Sequence, residues 1–473
     1  MEVKNQRWSE EQLMNELKRV LSLYPTGQEF ELEEVLEYHR RIPDHKSVPK
    51  IHREAVETGR ILLQPRVGKA TIEEMIENLQ YLQENGADIL TWTCDTYCRR
   101  NQFEKAKAAL QESKRTGRSL LNGFPSVIHG VKGCRQVFEA VDKPCDGRGA
   151  AGSPQAYNTW MLGGGATSFQ GAALLGGLSV EARMPVLECI RNFQYVDRLI
   201  GWFQDHGVIL AREAAGFPSG TITPPCVSII SSIIELLLAA EQGVRNMYST
   251  YPLNSCVIQD IAAIHVHGEL CKEYLEKCGY KNIFHMQAAH QWPGPYPDDP
   301  NKSMAKICLD TVICAFSGVN KILVKSPQEG KGIPTKEGNA AGLIATRKIL
   351  DLLRNQEFPR SKELEEEIYV IKSQCRRMME KVFELGDGDI AQGTSIAFER
   401  GTLDFPFSVN KHNANKAMVA RDLTGAVRFL DCGNLPFNRE LIEYDQEKLE
   451  KRRLKEGKDD VEMIIEDFRA AVK

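Results

Sequence analysis

Short apolar runs alternate with longer amphipathic stretches through most of this 473-residue chain. The amphipathic stretches carry apolar residues at helical spacing, and the short runs have the length of buried strands. Eight or nine such units in succession, without a reversal, favour a closed parallel barrel over an open doubly wound sheet. The sequence therefore predicts an α/β fold, a (β/α)8 TIM-type barrel over residues 61–355. Its strands are expected in Ile61–Pro65, Asp88–Thr93, Leu120–Ile128, Thr167–Phe169, Val208–Ala211, Val244–Thr250, Ile283–Met286 and Lys321–Val324, with one more near Pro144.

The two ends of the chain have a different pattern. Residues 1–60 carry apolar side chains at helical spacing between charges, which predicts a helical N-terminal extension. Residues 356–473 are expected to form a C-terminal extension that is rich in helix and partly irregular. Within it we expect a long helix over Lys362–Leu385, an ordered irregular segment over Phe405–Asn434 and a solvated helix over Arg439–Ala471.

Charge and hydropathy exclude several classes of protein. Lys and Arg number 60 against 64 Asp and Glu, a net charge of −4, whereas a nucleic-acid-binding surface needs a basic excess. No apolar run reaches the roughly 18 residues of a membrane span, and Met1–Glu11 is too polar for a signal peptide. We therefore expect a cytoplasmic protein that binds neither nucleic acid nor a membrane.

The cysteines and histidines predict no metal site. The 13 cysteines are odd in number and widely spaced and form no Cys-x-x-Cys, which is typical of reduced, buried thiols. Cys94 and Cys98 form Cys-x3-Cys, but Asn101 stands three residues further on, so a three-cysteine iron–sulfur site is not completed. The histidine clusters also lack a third ligand: they are His265 with His267, and His285 with His290.

A glycine-rich segment contains one isolated arginine. Gly147–Gly152 spells the dinucleotide fingerprint G-x-G-x-x-G, but the acid that should follow about 20 residues later to hold the ribose is missing. We therefore reject a nicotinamide enzyme. Arg148 is the one charged residue between Asp146 and Glu181, so in a buried segment it needs either a distant acid or a ligand anion as its partner.

Two further arginines occupy comparable places. Arg66, Arg99 and Arg148 each follow a predicted strand at the end where barrel active sites form. Because guanidinium groups bind carboxylates through paired hydrogen bonds, three of them suggest a substrate with two carboxylates. Lys325 and Glu329 follow the last predicted strand, and they either pair with each other or hold a polyhydroxylated ligand such as a ribose.

Ordered motifs over nearly the whole chain resemble one family, the epsilon (large) subunit of glutamate mutase, also called methylaspartate mutase. The motifs are Gln64–Gly68, Asp95–Arg99, Leu121–Pro125, Val196–Gly201, Leu238–Gly243, Gly332–Glu337 and Gly433–Phe437. The resemblance implies an isomerase of glutamate catabolism that converts L-glutamate to L-threo-3-methylaspartate by a radical mechanism. It also implies adenosylcobalamin, shared with a small cobalamin-binding subunit in a heterotetramer built on a homodimer of large subunits.

The resemblance also assigns roles to residues. Arg66, Arg99 and Arg148 fall on the family's carboxylate-binding arginines. Lys325 and Glu329 fall on the pair that holds the adenosyl group. Cofactor-side positions of the family fall on Gly68, Thr93 and Asn122. The small subunit's Asp-x-His-x-x-Gly supplies the cobalt ligand, and none of the ten histidines here has Asp two positions before it.

Four positions depart from the family pattern. Gln170 stands where the family has a glutamate that anchors the substrate ammonium. Gly176 and Val180 replace two tyrosines, which should enlarge the pocket, and Gly149 replaces a histidine. An amide cannot pair with an ammonium as a carboxylate does. The chain is thus an altered glutamate mutase or a sister mutase for another carboxylate. A third possibility is a non-catalytic member that only binds the cobalamin subunit.

Overall fold

Eight parallel strands form the barrel that the sequence predicts. The computed structural model describes residues 3–216, 222–470 and 472. Hydrogen-bonded neighbours run in the order β1-β8-β7-β6-β5-β4-β3-β2. At the remaining seam, between β1 and β2, the amide of Asp88 donates to Leu63 O at 2.9 Å. The strands, numbered in chain order, are β1 Leu62–Pro65, β2 Leu90–Thr93, β3 Cys145–Arg148, β4 Ser168–Gly171, β5 Ala211–Ala215, β6 Asn246–Pro252, β7 Phe284–His290 and β8 Lys321–Val324.

Helices cover the outside of the barrel. Most have an apolar face toward the strands, and α11 is buried along nearly its whole length. Three helices precede the barrel: α1 Glu10–Leu21, α2 Leu32–Arg40 and α3 Val48–Thr58. Those between and after the strands are α4 Ile72–Glu84, α5 Thr96–Arg99, α6 Phe103–Thr116, α7 Ser126–Glu139, α8 Gln155–Gly163, α9 Ala173–Ser179, α10 Val186–Asp205, α11 Pro225–Glu241, α12 Val257–Lys277, α13 Pro300–Ser317 and α14 Lys336–Leu353.

The predicted strand over Leu120–Ile128 is wrong. This segment contributes a single bridge, between Phe124 and Cys94, and the next helix begins at Ser126. Pro125 has no amide hydrogen to extend a ladder. Gly123 lies so close to the Cys94 backbone that a Cβ would come within 2.5 Å of it. The segment therefore folds as a loop across the end of β2, and the barrel has eight units.

The C-terminal part contains a small sheet in addition to helices. The predicted helix Lys362–Leu385 is confirmed, but the predicted irregular segment contains an antiparallel hairpin. Gly425, with φ +87°, forms its turn, and the Asp422 side chain accepts from Thr424 N. The elements are α15 Lys362–Leu385, α16 Ile390–Arg400, β9 Met418–Arg421, β10 Val427–Asp431, α17 Arg439–Glu456 and α18 Asp460–Ala470.

The charged tail is more than one solvated helix. Gly457 adopts a left-handed conformation with φ +65° and ends α17, so that α18 folds back beside it. Arg452 is buried between the two helices and pairs with Asp467 at 2.9 Å. Leu449 and Met463 pack with Ala420 of the hairpin. The tail thus has a buried side, although its composition suggested full solvation.

The barrel interior has a polar middle layer. Most barrels of this type fill that layer with branched apolar side chains. Here Gln64, Asp146, Ser168, Tyr248 and Lys321 are all fully buried. Gln64 donates to Asp146 at 2.6 Å, and Lys321 Nζ lies 3.9 Å from the centre of the Tyr248 ring. Among the described helices, none is both long enough and apolar enough to cross a bilayer.

Candidate active site at the barrel mouth

Three arginines meet at the carboxyl-terminal end of the barrel. Arg66 directly follows β1, Arg148 is the last residue of β3, and Arg99 ends α5 just after β2. Arg99 packs on the chain beside Arg148, since a Cβ added at Gly149 would lie 3.0 Å from Arg99 Cδ. The Arg66 side chain is accessible to solvent. Loss of hydration at the crowded mouth nevertheless lowers its pKa; the charge of Glu329 opposes this shift, and the charges of Arg148 and Arg99 add to it. The structure therefore brings the three predicted cations together.

Arg148 has protein acids as partners. Its Nη1 lies 2.7 Å from Glu213 Oε2 on β5 and 3.1 Å from Asp146 Oδ2 on its own strand. Thr250 Oγ1 donates to the other oxygen of Glu213. Burial opposes the charge of the guanidinium, but Glu213 and Asp146 outweigh that penalty and raise the pKa of Arg148. The sequence left open whether Arg148 pairs with a distant acid or with a ligand anion, and in the structure it pairs with a distant acid, Glu213. The Nε and Nη2 atoms of Arg148 donate no hydrogen bond within the described residues.

Arg66 and Arg99 have no carboxylate partner in the described part of the chain. Arg99 Nη1 donates to Ala150 O at 3.4 Å and Nη2 to Thr96 Oγ1 at 3.2 Å, while Nε is buried without a partner. Arg66 makes no hydrogen bond or ion pair with any described residue. A cation that forms no direct pair with an acid is a good receptor for a ligand anion. These two guanidinium groups are therefore available to a carboxylate.

Gln170 lies on β4 beside the arginines, and its amide is held in one orientation. Gly149 N donates to Gln170 Oε1 at 3.1 Å. A backbone N–H can only donate, so the amide oxygen must be the atom that faces it. The side chain is 6% exposed, and its Nε2 donates to no acceptor within the described residues.

At the two glycines that depart from the family pattern, neighbouring atoms occupy the space that a side chain would need. A Cβ at Gly149 would lie 2.9 Å from Tyr157 Cζ, and the Tyr157 hydroxyl donates to Gly149 O. A Cβ at Gly176 would lie 2.4 Å from Ala151 O. The expected enlargement at Gly176 is therefore wrong, because the loop after β3 occupies that space. Val180, directly after α9, is partly exposed.

An open cavity of about 170 Å³ lies beside Arg66 at the seam between β1 and β2. Thr93 N donates to Val67 O at 3.0 Å and closes the seam beneath it. Gly68 is packed tightly here, since a Cβ would lie 2.6 Å from Gly123 Cα. The structure places four of the five predicted cofactor residues on the wall of this cavity: Gly68, Thr93, Asn122 and Glu329.

The fifth, Lys325, joins the cavity through an ion pair. Lys325 Nζ lies 2.7 Å from Glu329 Oε2, so the two residues do pair, as one of the two sequence interpretations held. Loss of hydration lowers the pKa of Lys325, while Lys325 overcomes the burial of Glu329 and keeps the pKa of that carboxyl below its usual range. The pair still presents both a donor and an acceptor to the cavity.

Sequence reasoning missed three residues of this region. Glu213 pairs with Arg148, and His290 ends β7. The third is Tyr296, whose ring centre lies 5.6 Å from Lys325 Nζ and whose buried hydroxyl has no hydrogen-bond partner among the described residues. Burial, followed by the charges of Lys325 and Arg66, lowers the pKa of His290 and keeps the imidazole neutral. The arginines were selected because they lie at the carboxyl-terminal ends of barrel strands, and the same criterion would also have selected His290.

Beneath Arg99, two cysteines and an aspartate gather. One ligand atom each from Cys94, Asp95 and Cys98 lies within 4.8 Å of the others, and all three residues are fully buried. Asp95 Oδ1 accepts from the backbone amides of Tyr97 and Cys98 and thus begins the helix that carries Arg99. The Cys-x3-Cys pattern in the sequence does not indicate that Asp95 lies close to both thiols.

Comparison with known proteins identifies the family. The family model described as "Methylaspartate mutase E chain (MutE)" matches residues 42–473. The chain belongs to this family. It is 39% identical to the glutamate mutase epsilon subunit of Treponema denticola over 472 residues, which cover 99% of this chain and 97% of that protein. The corresponding subunit of Desulfitobacterium hafniense is 36% identical over 472 residues, covering 99% and 98%. That of Haloarcula marismortui is 35% identical over 467 residues, covering 98% and 94%.

Membership in the methylaspartate mutase E chain family confirms the resemblance found in the sequence. Because the match spans nearly the full length of both chains, this protein is a glutamate mutase-like large subunit, and its relatives imply an isomerase. The barrel and its arginine-lined mouth are the setting in which the chemistry of such a subunit has to be placed.

Proposed function

We propose that this chain is the large subunit of an adenosylcobalamin-dependent mutase that rearranges the carbon skeleton of a small dicarboxylate. The observation that carries the proposal is the pair of arginines that have no acid partner within the described residues, Arg66 and Arg99, beside the anchored Arg148. Two carboxylates of one substrate would satisfy cations whose positions the strand ends fix, so that the substrate carbon between them is held in one place.

The residues at the seam fit an adenosyl group. Lys325 and Glu329 offer a donor and an acceptor that suit the two hydroxyl groups of a ribose, and the unpartnered Tyr296 hydroxyl lies near them. Thr93 and Asn122 add polar groups to the same wall. The chemistry that adenosylcobalamin supplies when bound is cobalt–carbon homolysis and hydrogen abstraction from the substrate. The chain's own residues would hold the adenosyl group next to the bound carboxylates and exclude water.

A second subunit is part of the proposal. No histidine of this chain stands two residues after an aspartate, so the motif Asp-x-His-x-x-Gly, which supplies the cobalt ligand, has to come from a small cobalamin-binding partner. We propose a heterotetramer in which two copies of this chain form a homodimer and each binds one small subunit, working in the cytoplasm.

Reconstitution tests this function. The chain is mixed with the small subunit from a neighbouring reading frame and with adenosylcobalamin, and short dicarboxylates are added in turn. We expect at least one of them to produce a paramagnetic signal and a rearranged product. An Arg66→Met variant should lose both, whereas an Arg40→Met variant, changed at a solvent-exposed ion pair with Glu37, should keep both.

The same experiment can contradict the proposal. If the two subunits associate and bind cobalamin but no dicarboxylate produces a signal or a product, the chain is a binding subunit that has lost turnover. If cobalamin stays with this chain in stoichiometric amount on gel filtration without the small subunit, the division of the cofactor between two chains is wrong.

A further inference from the structure

The orientation of the Gln170 amide determines what that residue can offer a ligand. Its Oε1 already accepts from Gly149 N at 3.1 Å. Turning the amide over would place two donors, NH2 and N–H, against each other. Nε2 is therefore the free end, and it meets no acceptor within the described residues. At this position the wall of the site is a hydrogen-bond donor.

The carboxylates of the mouth are already engaged by the protein. Glu213 forms an ion pair with Arg148 at 2.7 Å and accepts a hydrogen bond from Thr250. Glu329 forms an ion pair with Lys325 at 2.7 Å. Below them, Asp146 accepts from Gln64 at 2.6 Å and from Arg148 at 3.1 Å. Each of these described carboxylates therefore already has a protein cation as its partner, and none of them is hydrogen-bonded to Gln170.

Donors predominate beside Gln170. Among the described residues, Arg66 has no hydrogen-bond partner, Arg99 has two neutral ones, and Gln170 Nε2 adds a further donor. An ammonium placed here would lie beside cations and would have to compete with Arg148 and Lys325 for the carboxylates that they already hold, and burying a poorly paired charge is costly. An oxygen at the same place would accept a hydrogen bond from Gln170. These donors thus favour a ligand that presents an oxygen to Gln170.

We propose that the substrate is a dicarboxylate that carries a carbonyl or hydroxyl oxygen, in place of an ammonium, on the carbon next to one carboxylate. This inference rests on the proposed function, because it assumes that the arginines bind a dicarboxylate. The rearrangement is an isomerisation, so the product has the same atoms and the same lack of nitrogen.

Binding to the assembled protein tests the inference without relying on turnover. The chain is combined with its small subunit and cobalamin, and 2-hydroxyglutarate, 2-oxoglutarate and L-glutamate are titrated by calorimetry. We expect one of the two nitrogen-free acids to bind at least about tenfold more tightly than L-glutamate, the size of one charge-assisted hydrogen bond gained or lost. Product analysis by NMR then shows which bound acid is rearranged.

A single substitution should reverse the preference. In Gln170→Glu, one carboxylate oxygen can accept from Gly149 N while the other faces the ligand as an acceptor with negative charge. L-Glutamate should then bind at least about tenfold more tightly than in the wild type. Gln80→Glu adds the same charge at an exposed position, where Gln80 donates to Ala140 O, and should change no affinity.

The outcomes separate the two proposals. Equal or tighter binding of L-glutamate by the wild-type protein overturns the inference and leaves the mutase function intact. If none of the three acids binds, the dicarboxylate site itself is wrong and the inference fails with it. Because the wild-type comparison is decisive by itself, the test does not depend on the Gln170→Glu variant being stable.

Discussion

Arg148 shows how a buried guanidinium can remain charged and still be available. Nη1 bridges Asp146 and Glu213, which come from β3 and β5, and Glu213 is itself held by Thr250 of β6. Because the guanidinium is a planar fork, the protein can fix one nitrogen and leave the others for a ligand. The position of this arginine therefore depends on the strands around it.

Arg148→Lys should impair catalysis while preserving the fold. A lysine keeps the positive charge between Asp146 and Glu213 but cannot bridge both and also reach a ligand. We expect kcat/KM of the reconstituted enzyme to fall by about 10- to 100-fold, equivalent to about 1.5–3 kcal/mol, with little change in Tm. Arg40→Lys, at an exposed ion pair, serves as the control. Wild-type kinetics in Arg148→Lys would remove Arg148 from the site.

For individual residues, the sequence predicted where a side chain lies better than it predicted which residues that side chain contacts. Arg66 and Arg148 could be placed because strand ends in a parallel barrel share one face. The pairing of Arg148 with Glu213 could not, since it depends on which strands are neighbours and on their register. The contact of Gly176 with Ala151 O depends on the path of a loop, for which the chain carries no periodic signal.

At the scale of elements, the hairpin β9–β10 is docked by a buried charge network. Arg428 of β10 pairs with Asp422 at 2.8 Å and also with Glu367 of α15, and Asp445 of α17 lies 3.8 Å away. Burial raises the pKa of Asp445 to about 7, because its distance from Arg428 leaves that desolvation incompletely offset. One guanidinium thus joins a hairpin to two helices.

Arg428→Ala should destabilise this part of the chain strongly. The substitution leaves three buried carboxylates without their cation, and breaking such a pair costs about 3–5 kcal/mol of unfolding free energy. Denaturant unfolding followed by circular dichroism measures the loss. Arg439→Ala, which removes an exposed pair with Glu443 on α17, should leave the unfolding curve nearly unchanged. Equal curves for both variants would show that the network contributes little.

The elements that the sequence missed have identifiable causes. Leu120–Ile128 has the apolar content of a strand, but Pro125 and the close approach of Gly123 to Cys94 prevent a ladder from forming. The strands β9 and β10 are short, and each is flanked by turn residues, so their alternation spans too few residues to be recognised. The long helix α15 was predicted correctly because its pattern repeats over many turns.

At the scale of the whole molecule, repetition made the barrel predictable. Most units repeat the same pattern of one strand and one helix. An error in the predicted boundary of one unit therefore does not change the predicted architecture. The division of the chain at residues 60 and 355 stays a prediction, because the flanking helices pack directly on the barrel. The polar middle layer was not predictable, since its members come from five strands and are adjacent only once the barrel closes.

The polar layer should make barrel stability depend on pH through Lys321. Its Nζ is buried and meets no hydrogen-bond acceptor among the described residues, and burial lowers its pKa from 10.5 to about 8, although Asp146 opposes the shift. Between these pH values the unfolded chain binds more protons than the folded one, so this residue's contribution to stability rises with pH. Below pH 8 both states are protonated, and the cost of burying the charge is fully present.

Comparison with Lys321→Met isolates that contribution from the cysteines and tyrosines that titrate in the same range. From pH 7 to pH 10, the unfolding free energy of the wild type should rise by about 2 to 3 kcal/mol relative to the variant. Lys302→Met, on the outer helix α13, controls for loss of a lysine as such. If the difference between wild type and Lys321→Met stays constant with pH, Lys321 keeps an ordinary pKa, which requires water or an acid beside it in the barrel.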